Sequence, residues 1–365
     1  MTDRMQDFLA FSDEDIEAAA REEKLLSLEL EFTSRCNLRC AYCYSGGDLF
    51  RRNELNLEEM YDVISQAKAL GARKIIYVGA GEPLLDRKLC AVVEYSSKLG
   101  LDHILFTNGT LIDPDIAAFL YDHGVGVVTK MTSRKPEVYD WLSGVPGAYA
   151  TSQRGMGFLI DAGYPDGDHV LGIEAVVCRQ NLVELPDLWR WARNNNYIPY
   201  VECLTRQGLA KDREDLFPGT QDIRILFEEL SAIDAQEYGL FWTPHPPIAA
   251  FSCRRHLYSC TVTSRGFVRP CVGIDLKIGN VREDRLAHIL ASSSRRKELV
   301  CINDTIKGPC SQCELKSECY GCRGTAYGMT GDYLASDPTC WRVQEAYETE
   351  SRAKQKASGL VRHAG

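Results

Sequence analysis

Nowhere in this 365-residue chain does an apolar run reach the length that a bilayer-spanning helix requires. The opening residues, MTDRMQDFLAFSDEDIEAAAREEK, are acidic and helical in pattern and hold no apolar stretch of the signal-peptide kind. Basic charge is short as well: 42 Lys and Arg stand against 51 Asp and Glu, a formal net charge of −9. A nucleic-acid partner would call for a clustered basic face, so none is expected, and neither is a membrane. Solenoid-type repeats and low-complexity tracts are missing too. With 45% apolar and 25% charged residues the composition is that of an ordinary globular protein. Its length suits one large α/β domain, or a barrel with a smaller module, and its expected location is the cytoplasm.

Cysteine is what the chain has in plenty. There are 15, and without a secretion signal clustered thiols read as metal ligands before disulfides. Three lie in CNLRCAYC, as Cys36, Cys40 and Cys43. Eight lie between Cys253 and Cys340 in tight spacings, and Cys90, Cys178, Cys203 and Cys301 are scattered. Two metal-binding regions separated by a cysteine-poor middle are expected.

That middle alternates β-branched runs with amphipathic helical stretches. The pattern predicts strands near 27–34, 74–79, 103–109, 125–131, 169–177 and 198–204. Strand–helix–strand repetition implies parallel strands with right-handed crossovers, here a partial (β/α)6 TIM-like barrel open on one side. In the first strand Leu26, Leu28, Leu30 and Phe32 share one face, and Ser27, Glu29, Glu31 and Thr33 the other. The apolar side belongs against helices and the polar side in a lumen. In such barrels chemistry gathers where strands end, which is where Cys36–Cys43 lies. The expected divisions are a helical extension over 1–25, the barrel over 26–240, a cysteine-rich domain over 241–340, and a helix and tail over 341–365.

Three thiols spaced x3 and x2 suit three irons of a 4Fe–4S cubane better than zinc, which prefers four protein ligands in closed sites. The segment TSRCNLRCAYCY resembles the signature of the radical S-adenosylmethionine (SAM) superfamily. That resemblance implies that SAM chelates the open iron and is cleaved to a 5′-deoxyadenosyl radical, which takes a hydrogen atom from substrate. It also implies that Tyr42 packs near adenine. VGAGEP is similar to the family's G-G-E-P segment, which implies SAM contacts by Gly79, Ala80, Gly81, Glu82 and Pro83, with Ala80 a departure from the usual pattern. Thr107-Asn108-Gly109 resembles a recurrent T-N-G near SAM. In isolation, either segment also reads as a plain turn.

The later cysteines resemble the SPASM extension of many such enzymes, although its last spacing is x2 where x3 is usual. The resemblance implies two auxiliary 4Fe–4S clusters, three in all. Cys253, Cys260, Cys271 and Cys322 would hold one, and Cys310, Cys313, Cys319 and Cys340 the other. Paired zinc sites remain an alternative on ligand count.

Two fully ligated clusters beside a radical site favour net oxidation, with a flavodoxin- or ferredoxin-type donor starting the cycle. The barrel is expected to begin at Leu26, after some 25 residues, so the leader-recognition domain of many peptide-modifying relatives is not expected. Val272 stands where sulfatase-maturing relatives have an acidic base. A small polar metabolite, such as a sugar or cyclitol in natural-product biosynthesis, is therefore the expected substrate. Alternatives are modification of a ribosomally made peptide, epimerisation with Cys178 as hydrogen donor, and a non-enzymatic electron carrier. Lys130 and Glu202 are expected to bind substrate or to form ion pairs. Trp189, Trp191 and Tyr197 are expected to pack a helix rather than line the pocket.

Overall fold

The computed structural model describes residues 11–45, 52–249 and 253–361. Parts of the expected N-terminal extension (1–10) and C-terminal tail (362–365) lie outside the described residues. A short helix, α1 (Asp13–Arg21), precedes the sheet and is capped by Ser12, whose hydroxyl accepts from the Asp15 N–H.

Six strands follow in order: β1 (Ser27–Glu31), β2 (Lys74–Val78), β3 (Asp102–Thr107), β4 (Val125–Lys130), β5 (Leu171–Val177) and β6 (Ile198–Cys203). All pair in parallel with their sequence neighbours. The crossovers carry α2 (Leu57–Ala69), α3 (Leu89–Lys98), α4 (Pro114–Asp122), α5 (Pro136–Ser143), α6 (Ala148–Ala162) and α7 (Leu185–Asn194), and α8 (Thr220–Ile233) follows β6. The α/β architecture is thus the open, parallel one that the alternation implies.

The sheet does not end with the barrel. β7 (Ser259–Val262), from the cysteine-rich segment, pairs in parallel with β1. β8 (Phe267–Arg269) and β9 (Gly279–Asn280) extend it antiparallel, giving the order β6-β5-β4-β3-β2-β1-β7-β8-β9. The two cysteine-bearing regions therefore share one hydrogen-bonded sheet. Beyond it lie the short helices α9 (Arg255–Tyr258), α10 (Leu286–Ser292), α11 (Ser294–Val300), α12 (Ile302–Thr305) and α13 (Arg323–Thr330), then the long α14 (Trp341–Val361). Among the described residues no helix is long and apolar enough to cross a membrane.

Strand parity holds in β1. Leu28, Leu30 and Phe32 are wholly buried in the main core against the helices. Glu29 and Glu31 are just as buried on the lumen side, and a cation beside each offsets the cost: Arg255 lies 3.4 Å from Glu29 and Arg269 4.0 Å from Glu31.

Trp189, Trp191 and Tyr197 belong to packing. The Trp189 indole donates to Asp234 (2.7 Å), and Trp191 meets Tyr197 edge to face. Asp234, fully buried, also accepts from Trp242 (2.9 Å) and pairs with Arg193 (2.6 Å). Replacing Asp234 with Ala strips these three donors of their shared acceptor, a loss of about 3–5 kcal/mol for a broken buried pair. Denaturant unfolding of the Asp234→Ala variant is the check, and an unchanged midpoint would contradict this role.

Candidate active site at the strand exits

The Cys36–Cys43 loop leaves the C-terminal end of β1 and is braced on two sides. Arg39 and Ala41 donate their backbone N–H groups to the Ser143 and Leu142 carbonyls at the end of α5 (both 2.8 Å). Gly144, at φ 69°, closes α5 so near Arg39 that a Cβ would sit 2.4 Å from the Arg39 carbonyl oxygen. On the other side the β2 exit packs directly against the loop. The Gly81 N–H donates to the Thr33 carbonyl (3.0 Å) and the Glu82 N–H to that of Arg35 (2.8 Å). A Cβ on Gly81 would stand 1.9 Å from the Arg35 carbonyl oxygen, so glycine is a steric requirement here. Ala80 takes part in neither contact, which accounts for its tolerance at that position. Tyr44, just past the third thiol, donates its hydroxyl to the Gly79 carbonyl (2.8 Å).

Glu82 joins this exit to β3. Its carboxylate accepts from the Thr107 hydroxyl (2.7 Å), the Asn108 N–H (2.8 Å) and the Leu84 N–H (3.1 Å). Burial pushes its pKa up, and these donors pull it back towards the ionised form. Asn108 reaches further, donating to Asn37 within the cysteine loop (2.9 Å). The three segments picked out by sequence therefore form one hydrogen-bonded unit. Pro83 begins the short turn that leads away from Glu82.

Tyr42 is buried, bonds Thr132 through its hydroxyl (2.9 Å), and has the Lys130 ammonium 5.7 Å from its ring centre. Cys178 is wholly buried beside it, in an apolar group with Leu142, Val176, Leu204 and Phe217. Burial raises the Cys178 thiol to about 12.

The donor set suits iron–sulfur clusters. Cys36, Cys40 and Cys43 lie within electrostatic reach of one another, and burial pushes the Cys40 thiol up to about 12. Cys310, Cys313 and Cys319 form a second group, with Cys340 close to Cys310. Backbone N–H groups point at the sulfurs of Cys36 (from Leu38, 3.4 Å), Cys271 (from Gly273, 3.2 Å), Cys319 (from Gly321, 3.4 Å) and Cys322 (from Thr325, 3.4 Å). Such donors stabilise the charge of cluster-bound sulfur. Asp337, fully buried, steadies the last loop by accepting from the Cys322 N–H (2.7 Å) and the Thr339 hydroxyl (2.7 Å).

A pocket between the barrel and the cysteine-rich segment is lined by Cys203, Cys253, Cys271 and Cys322, together with Tyr200, Glu202 and Arg255. Tyr320, Arg255, His256 and Arg323 also line it, and each carries a buried oxygen or nitrogen without a hydrogen-bond partner. Polar hydrogens around a site for sulfide-rich clusters are chemically apt. Cys260, expected in this group, lies elsewhere. It pairs in register with Leu28, so it shares the helix-facing side of the sheet and sits in the apolar core.

Sequence reasoning allowed an ion pair at Lys130 but left its partner open. Lys130, on β4, bridges Glu174, on β5, at 2.5 Å rather than Glu202. Glu202, on β6, instead shares a hydrogen bond with Glu174, and burial and that neighbour push its pKa up to about 8. Glu174 goes the other way: burial opposes its charge, but Lys130, the hydrogen bond with Glu202 and Arg255 together pull its pKa down. Glu29 accepts from Arg255, the Thr261 hydroxyl and the Val272 N–H (3.0 Å). Face sharing was readable from strand parity, but which carboxylate meets the lysine depended on strand order.

Residues 30–192 match the radical SAM superfamily model, and residues 253–314 match that of an iron–sulfur cluster-binding domain, SPASM. The chain is 30% identical over 355 residues to an Fe-coproporphyrin III synthase of Methanosarcina barkeri (strain Fusaro / DSM 804), covering 86% of this chain and 87% of that protein. This chain belongs to the radical SAM superfamily. An AdoMet-dependent heme synthase from the same organism is 28% identical over 337 residues, covering 85% of this chain and 94% of that protein. Streptococcus suis SuiB bound to S-adenosylmethionine has the same fold, with a TM-score of 0.70 at 17% identity, covering 93% of this chain and 85% of that one. As a radical SAM/SPASM enzyme the chain takes SAM, a SAM-binding 4Fe–4S cluster and auxiliary clusters as its cofactors.

Gly81→Ala is expected to push the loop off the β2 exit. A displacement of this size costs about a hundredfold in rate, read as 5′-deoxyadenosine formation, while auxiliary-cluster absorbance persists. Undiminished SAM cleavage would contradict the bracing role. Cys40→Ala is expected to abolish SAM cleavage with the same absorbance retained, and continued 5′-deoxyadenosine production would count against its place at the SAM cluster.

Proposed function

We propose that this enzyme carries out a net two-electron oxidation of a compact polar substrate held in the barrel lumen, of the sugar or cyclitol kind. Cys36, Cys40 and Cys43 hold the SAM-binding cluster, with Tyr42, Gly79–Pro83, Thr107 and Asn108 around the nucleotide. Cys310, Cys313, Cys319 and Cys340 hold one auxiliary cluster, and Cys253, Cys271 and Cys322 contribute to the other. The clusters supply one-electron chemistry: reductive cleavage of the sulfonium, fed by a flavodoxin- or ferredoxin-type donor, and acceptance of an electron from oxidised substrate.

The observation that carries the reading is the Lys130–Glu174–Glu202 group, which lies between the Tyr42 end of the lumen and the pocket lined by Cys203, Cys253, Cys271 and Cys322. Loss of a hydrogen atom to the 5′-deoxyadenosyl radical leaves a substrate radical that must shed one electron and one proton. The paired carboxylates give that proton a place to go, and Lys130 holds Glu174 for the task. Cys178, enclosed by apolar side chains, offers less support to the epimerase alternative.

The lumen's own charge supports a neutral substrate. Three carboxylates (Glu29, Glu31 and Glu174) each lie against a cation (Arg255, Arg269 and Lys130 in turn), and Glu202 is pushed towards its neutral form. A second reading, a tetrapyrrole, is favoured by the names of the two Methanosarcina relatives. It would require substrate carboxylates to displace Glu29 or Glu31 from the arginines.

The test is anaerobic turnover with deuterated candidates from both classes. Deuterium in 5′-deoxyadenosine together with a product lighter by two hydrogens is the expected outcome for the polyol class. A product of unchanged mass, or turnover of tetrapyrroles alone, would overturn the reading. Glu202→Gln and Glu174→Gln are expected to keep deuterium transfer but to lower oxidised product by about 10²–10⁴-fold, the usual worth of a positioned base. Product at the unsubstituted enzyme's level in both variants would remove the proton-acceptor role.

A further inference from the structure

One auxiliary site lacks a settled fourth ligand. Cys253, Cys271 and Cys322 line a single pocket, and Cys271 and Cys322 both lie within electrostatic reach of Cys253. Cys260 is cut off from them by the sheet itself. β7 alternates, and Thr261 turns to Glu29 in the lumen while Cys260 stands in line with Leu28 on the opposite side. Reaching the pocket would mean reversing the strand's register, which would bury Thr261 and Ser259 in the apolar core.

Cys203 alternates with Glu202 along β6, yet at the open end of the strand it still lines the pocket. It is the last residue of β6, an edge strand, and it lines the same pocket as the other three thiols. Its backbone N–H is fixed to the Pro247 carbonyl (2.8 Å), so the strand end is held in place. The thiol donates to the Pro246 carbonyl (2.8 Å). The titratable groups near it are Asp337, Cys322 and Cys340, from the cysteine-rich segment, and the adjacent Glu202.

We propose that Cys203, in place of Cys260, completes the auxiliary 4Fe–4S ligand set with Cys253, Cys271 and Cys322. The inference rests on reading that segment as cluster-binding. On ligation the Cys203 thiol gives up its proton, and the hydrogen bond to Pro246 is exchanged for an iron–sulfur bond. The consequence is architectural as well as chemical. The cluster is then held by the barrel and the cysteine-rich segment together, and its barrel ligand directly follows Glu202. Electron and proton acceptors for the substrate radical are thus neighbours on β6.

The test compares Cys203→Ala, Cys203→Ser, Cys260→Ala and Cys253→Ala in the full chain, each reconstituted without oxygen. Iron content, Mössbauer spectra and electron paramagnetic resonance of the three clusters are the readouts. Cys203→Ala and Cys253→Ala are both expected to lose about four of about twelve irons, or to leave a three-iron cluster. Cys203→Ser, which preserves size and a donor to Pro246, is expected to fold and to change the spectrum of that one cluster. Cys260→Ala is expected to keep all iron with an unchanged spectrum. Loss of the cluster in Cys260→Ala with retention in Cys203→Ala would overturn the inference, and so would retention in both with an unaltered Cys203→Ser spectrum. An unchanged Cys253→Ala would instead overturn the cluster reading itself.

Discussion

The close packing of the β2 exit against the cysteine loop is the constraint from which the rest of the site follows. Three thiols on one short loop hold a fixed triangle only if their backbone cannot drift. Contact between Gly81 and the Arg35 carbonyl, too tight for any side chain, pins one flank, and the end of α5 pins the other. Glu82 then carries the same rigidity to β3 through Thr107 and Asn108. Motifs that look like separate turns in the sequence are parts of a single preorganised cradle. Preorganisation of this kind lowers the ordering cost of each binding event.

Across the lumen a second arrangement faces the first. Buried carboxylates are costly, and their presence in pairs beside Lys130 and the arginines marks a place where polarity has been retained for chemistry. Burial and the Glu174 carboxylate beside it push Glu202 towards its neutral form, while Lys130 and the hydrogen bond with Glu202 help pull Glu174 towards its ionised one. The continuous sheet, with β7 beside β1, sets the distance between this chemistry and the cysteine-rich segment.

Much of this was legible in the sequence for physical reasons. Strand periodicity in segments such as 74–79 and 125–131 reflects burial on both faces of a parallel sheet, and the observed strands fall there. The polar alternation of β1 announced a polar lumen before any neighbour was known. Cysteine spacing was a weaker guide. It names residues close in sequence but says nothing about which side of a strand a thiol occupies, so Cys260 was grouped with residues from which the sheet separates it. Cys203 stands far from the other cysteines in sequence, and only the fold brings β6 to the cysteine-rich pocket. The same limit hid the Lys130–Glu174 bridge, since strand parity is local and strand order is not.

The whole account depends on one cluster iron without a protein ligand. Electron–nuclear double resonance of the reduced enzyme, with SAM isotopically labelled at its amino nitrogen, probes that iron directly. A hyperfine coupling between the labelled nitrogen and the cluster is the expected result. No coupling, in a sample whose SAM cluster is intact and reduced, would mean that the fourth position is already filled by the protein.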